Sequence, residues 1–143
     1  MRGHYLLAFA AVLNAGHAHA VACAVPDASF ASFVVKFKND ARFRETRLIL
    51  PLPSRYTDPD GTTQEVLSLR TIRSRKMQLI KGSAEARELA LTEGKVCEGK
   101  PVVKGGHARF GQHSCGTDVY SHSYAFVRQN GCWMLESMES SGG

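Results

Sequence analysis

Five residues of the kind that hold metals crowd into a stretch of sixteen: His107, His113, Cys115, Asp118 and His122. Zinc takes nitrogen and sulfur ligands, usually in closely spaced pairs. No Cys-x-x-Cys or His-x-x-x-His pair is present, though His113 and Cys115 would project to the same side of a strand. The expectation is histidines around a turn and a cysteine committed to a disulfide, with no metal. Nucleophilic chemistry has less support. His113-Ser114-Cys115 and His122-Ser123 are neighbours in sequence, but a nucleophile and its base are defined by spatial arrangement. The chain has no Gly-x-Ser-x-Gly elbow. Acid–base chemistry needs a carboxylate or histidine of shifted pKa in an apolar cavity, facing polar donors. Tyr56, Tyr120, Tyr124 and Asp118 are the raw material for it. No residue is assigned a catalytic role, and no cofactor is expected.

A second chemistry is electrostatic. Arg70, Arg73, Arg75 and Lys76 form a dense basic run, with Arg42, Arg44 and Arg47 upstream. Eighteen basic against thirteen acidic residues leave a net charge of +5. The run could meet an acidic protein or an anionic lipid surface, or it could be a solvated edge that discourages strand pairing. No recognised nucleic-acid-binding motif accompanies it, so a nucleic acid partner is not expected. A second copy of the chain is a further candidate partner.

The N-terminus bears on compartment. Arg2 is the sole charge before Asp27, residues 6–13 (LLAFAAVL) are apolar, and Ala18-His19-Ala20 is an A-x-A cleavage signature. Together they read as a secretory signal peptide. Cleavage after Ala20 would leave residues 21–143 as one domain, in the periplasm or outside the cell. Cleavage after Ala22 would instead make Cys23 the lipid-bearing first residue of a lipoprotein. No run reaches the 18–20 or so apolar residues of a membrane-spanning helix. An exported chain meets an oxidising environment, where disulfides persist. Cys23, Cys97, Cys115 and Cys132 allow three pairings. If the last strands form a simple meander, Cys115 and Cys132 lie near opposite ends of one strand, too far apart to bridge. The favoured map pairs Cys97 with Cys132, with Cys23 joined to Cys115 or unpaired.

These residues must be positioned by helices first and strands later. Phe30, Phe33, Val34 and Phe37 make one helical stripe within residues 28–38, with Asp27 as the expected N-cap. Asp40 can cap a second short helix containing Phe43. Residues 47–50 read as extended and are closed by Pro51-Leu52-Pro53. A polar loop follows over 54–63, turning at Asp58-Pro59-Asp60-Gly61. Residues 65–80 read as mixed strand and loop, and 83–91 as helical. Asn130-Gly131 between two alternating runs predicts a hairpin of 121–129 with 132–138. A two-residue loop pairs Gln129 with Cys132, Arg128 with Trp133, Val127 with Met134 and Phe126 with Leu135. Tyr124, Phe126, Arg128, Trp133 and Leu135 then share one face, while Ala125, Val127, Met134 and Met138 share the other. One face should pack on a helix and the other be partly buried or line a pocket, with Tyr124, Phe126, Arg128 and Trp133 as the candidate pocket or sheet face and Arg128 over Trp133 as a cation–π pair. Residues 140–143 read as a frayed tail. The composition, 43% hydrophobic and 22% charged, is that of a folded chain, and the order of elements indicates an α+β fold.

Two stretches carry a resemblance. One is Phe33-Val34-Val35-Lys36-Phe37-Lys38-Asn39-Asp40 with Phe43, Arg47 and Leu50-Pro51-Leu52-Pro53. The other is Tyr124-Ala125-Phe126 leading through Asn130-Gly131 to Trp133-Met134-Leu135. Both resemble small bacterial secreted proteins of unknown function with a nuclear-transport-factor-2-like fold. The likeness covers the two ends and little of residues 57–106. It implies a curved antiparallel sheet wrapped around N-terminal helices to form a cone. Folds of this kind host isomerases, dehydratases, ligand binders, interaction domains and toxin-immunity proteins. The expectation is an exported, non-catalytic binder of a partner protein or small ligand, with periplasmic toxin neutralisation as its specific form. The rival is a small isomerase or hydro-lyase using the cone cavity.

Overall fold

The computed structural model describes residues 23–74, 95–116 and 120–142. The phenylalanine stripe forms α1 (Phe30–Asn39) and buries Phe30, Phe33, Val34 and Phe37. Its cap is Ser29, whose hydroxyl accepts from the Ser32 amide at 3.1 Å. Asp27 stands too far upstream for that role and is committed elsewhere. Asp40 does cap α2 (Ala41–Glu45), accepting from the Phe43 amide at 2.9 Å. Phe43 is partly buried against the core.

The chain then passes Leu48, which makes an isolated parallel bridge to Leu135. Residues 54–63 are strand rather than loop: β1 (Leu52–Asp58) and β2 (Gly61–Leu67) form a hairpin. Both strands are exposed along most of their length, so no apolar alternation advertised them. Pro53 fits because it precedes the first pairing of β1 with its other neighbour, at Ser54. The expected turn is present, and the Asp58 carboxylate accepts from the amides of Asp60 and Gly61. The segment expected as strand and loop continues as α3 (Leu69–Ser74), capped by the Ser68 hydroxyl on the Thr71 amide. Arg75, Lys76 and the helix expected over 83–91 lie outside the described residues.

Three strands follow, β3 (Val96–Glu98), β4 (Val102–Lys104) and β5 (His107–Ser114), and then β6 (Tyr120–Gln129) and β7 (Cys132–Gly142). The sheet order is β2-β1-β7-β6-β5-β3, with β4 also on β5. Every pairing is antiparallel except β1 with β7. The Asn130-Gly131 hairpin has the expected register from Gln129–Cys132 to Phe126–Leu135. Past it the register shifts at Ala125/Phe126, so Ala125 faces Ser137 and Tyr124 faces Met138. This bulge bends the strand pair. It also moves Met138 to the core face, beside Tyr124 and Leu135, and not beside Met134 as simple alternation required. Residues 140–142 are strand, not tail.

The core sits between α1 and the concave side of the sheet. The Phe126 ring meets those of Phe30, Phe33 and Phe37 edge-on at 5.3–5.5 Å, and Trp133 meets Phe30 at 5.0 Å. Edge-to-face geometry adds to area burial because ring edges are positive and faces negative.

The cysteines pair differently from expectation: Cys23 with Cys132, and Cys97 with Cys115. Two features of tertiary structure decide this. Residues 23–29 run back along the β6–β7 turn, where the Asp27 amide donates to the Gly131 carbonyl. β3 pairs with the end of β5, placing Cys97 opposite His113 and Cys115 just beyond.

Candidate functional site

Strand alternation sorts the chemical residues onto two sides. On β5 and β6 the concave side carries Gln112 and Ser114 with Tyr120, His122, Tyr124 and Phe126, while His107, His113 and Ser121 face outward. The expected metal candidates are therefore not brought together. His113 is exposed on the convex side, Cys115 is in a disulfide, and His107 lies 3.7 Å from the Glu136 carboxylate. Asp118 lies outside the described residues. Among the described residues no cluster of three His, Cys, Asp or Glu could hold a metal ion.

The concave side divides along its length. One end is filled by the phenylalanines, Leu135 and Trp133. Of the candidate pocket or sheet face, Tyr124, Phe126 and Trp133 lie in the core. Arg128 is exposed, its guanidinium 5.8 Å over Trp133 and donating to the carbonyls of Asp27 and Gly131.

The other end is polar. His122 lies between the rings of Tyr120, at 5.2 Å, and Tyr124, at 6.3 Å. Its Nδ1 is 3.0 Å from the Ser140 hydroxyl on β7, a bond whose direction follows the imidazole tautomer. Tyr56 on β1 is registered with Ser140, and its hydroxyl reaches over Gly142, where an added Cβ would lie 2.7 Å away. Only a residue without a side chain leaves that space for the phenol. Gln112 stands beside His122 in register and donates to Glu98 at 3.1 Å. Lys38, at the end of α1, closes on the same carboxylate at 2.9 Å. Glu98 itself is two strands from His122, about 10 Å. The Tyr124 phenol is buried with no hydrogen-bond partner among the described residues, as is the Trp133 indole N–H. Burial pushes the Tyr124 pKa well above its ordinary value, opposed by the charge of Arg44. It stays a neutral donor at any physiological pH.

This end gathers hydroxyls and an imidazole against an aromatic wall. The His122–Ser140 pair can accept or donate a proton. Tyr56, Tyr120 and Tyr124 of the expected acid–base set are on this face. The role of His122 at its centre was missed, although Tyr120-His122-Tyr124 alternation places all three on one side. Ser140 lies in the segment that reads as a tail from sequence and is strand in the fold.

Of the basic run, Arg70 is exposed on α3, and Arg73 forms a two-point ion pair with Glu45 of α2. That pairing holds the Glu45 carboxyl below its ordinary pKa and neutralises part of the expected patch.

No protein-family model and no curated protein matches the chain. Solved structures do. A nuclear-transport-factor-2-like protein from Bacteroides fragilis aligns over 80% of this chain with a TM-score of 0.55 and 20% identity. The chain spans about half of that protein, 47% of its length. Proteins described as nuclear-transport-factor-2-like and of unknown function align from Methylobacillus flagellatus (TM-score 0.46, 10% identity, 78% of this chain and 88% of that one) and Shewanella baltica (0.42, 11%, 77% and 85%).

Proposed function

Starting from a nuclear-transport-factor-2-like fold, we propose that this chain is an exported, non-catalytic binding protein that holds a small ligand at the polar end of its concave face. The observation that carries this reading is the division of that face. Phenylalanines close one end, while His122, Ser140, Tyr120 and Tyr56 present polar groups at the other. Largely apolar recesses with a few convergent polar groups are where small molecules bind. Export is supported by the leader-like residues 1–22 and by the two disulfides, which persist in oxidising compartments.

The experiment is native mass spectrometry and small-molecule profiling of the exported protein. The wild type is expected to retain a compound that His122→Ala loses at least tenfold, with folding checked by circular dichroism. Equal retention by the variant would remove the concave face as the site.

Two finer readings attach to this one. Recognition of a partner protein, toxin neutralisation included, would use Arg70 and Arg73 with Arg75 and Lys76. Charge reversal at Arg70 and Arg73 would then reduce partner capture and leave the small ligand in place. An isomerase or hydro-lyase is favoured by the His122–Ser140 bond beside two phenols. For that reading His122→Ala must abolish conversion of the retained compound while the Ser140→Ala variant still binds it.

A further inference from the structure

A recess lies beside α1, apart from the polar end of the sheet. Residues 23–28 form one wall, and Ser32, Phe33 and Lys36 of α1 with Phe43, Thr46 and Arg47 form the other. Its volume is about 590 Å³, inside the range of small-molecule sites. We propose that this groove binds small molecules with an apolar body and a single carboxylate.

Three observations point to that chemistry. The floor is aromatic carbon from Phe33 and Phe43, and Val25 at the rim is 72% exposed. A valine left that open at the mouth of an apolar recess favours an apolar body over water. Second, the two cations of the groove differ. Arg47 and Lys36 both sit on the Phe43 ring, at 4.6 and 4.4 Å. Arg47 is buried and its charge is consumed by Asp27, at 3.0 and 3.2 Å. Lys36 is exposed and has no carboxylate partner among the described residues. The groove therefore has one uncompensated positive charge at its edge, which selects a monoanion. Third, the wall is fixed in place. Residues 23–28 are tied down by the Cys23–Cys132 disulfide and by the Asp27 contacts to Arg47 and Trp133. A preformed wall lowers the entropic cost of binding.

Calorimetry with 4-phenylbutyrate and its neutral analogue 4-phenylbutan-1-ol tests the proposal. The wild type is expected to bind the acid at least tenfold more tightly than the alcohol. Lys36→Glu should erase that preference, Ser32→Trp should fill the groove and abolish binding of both, and His122→Ala should change neither. Absence of saturable acid binding, equal affinity for acid and alcohol, or loss with His122→Ala but not with Lys36→Glu would each overturn it. The last result would move the ligand to the concave face, so this proposal and the preceding one fail by separate observations.

Discussion

Asp27→Ala is expected to lower unfolding stability by about 3–5 kcal/mol, the range for breaking a buried ion pair from one side. The side chains of Arg47 and Asp27 are 7% and 9% exposed. The carboxylate accepts from both terminal nitrogens of the guanidinium and from the Trp133 backbone amide at 2.8 Å. Removing it strands a charged donor and an amide together. Water reaches neither readily, so the desolvation already incurred is no longer offset. Asp27→Asn should fall between wild type and alanine, because an amide oxygen can still serve the Trp133 N–H. Guanidinium denaturation checks the order. A loss below about 1 kcal/mol for alanine would show the pair to be solvated.

Cys132→Ser is expected to cost about 5 kcal/mol, and Cys97→Ser less, about 3 kcal/mol. The difference follows from sequence separation. Cys23–Cys132 spans 109 positions and Cys97–Cys115 only 18, and the chain entropy removed from the unfolded state grows with the logarithm of the loop. Denaturation of the two variants side by side gives the comparison, and equal losses would count against an unfolded-state origin. The same bond bears on anchoring. A Cys23 sulfur carrying a lipid thioether cannot also bond to Cys132. On the proposed export route, the intact mass should therefore show both disulfides, no acyl groups and a start at Val21. A lipid-bearing Cys23 with Cys132 free to alkylation would contradict this.

Much of the scaffold was legible because a local rule governed it. The Phe30–Phe37 stripe, the Asp40 cap and the Asn130-Gly131 register depend on residues a few positions apart. What was missed depends on partners distant in sequence. Asp27 reads as a cap until Arg47 and Trp133 claim it. The Leu52–Leu67 hairpin shows little alternation because both its faces are largely exposed. Met138 changes sides through a single bulge, which no pattern at that point announces. The disulfide map failed for the same reason, since it turns on where residues 23–29 lie against the β6–β7 turn. The polar end of the cone was half visible. The tyrosines are legible as chemistry, but sequence groups His122 with the outward histidines and with its neighbour Ser123, and its bond to Ser140 needs β7 to extend into the expected tail.

The sheet order has a consequence for assembly in time. β7 contains the last residues of the described chain, yet it lies between β1 and β6 and also accepts the Leu48 bridge. Until it is in place, the β1–β2 hairpin has no strand joining it to β3–β6. The two described halves of the sheet therefore remain unconnected until residues 132–142 have been synthesised. The described sheet becomes a single unit only when β7 docks between its two halves.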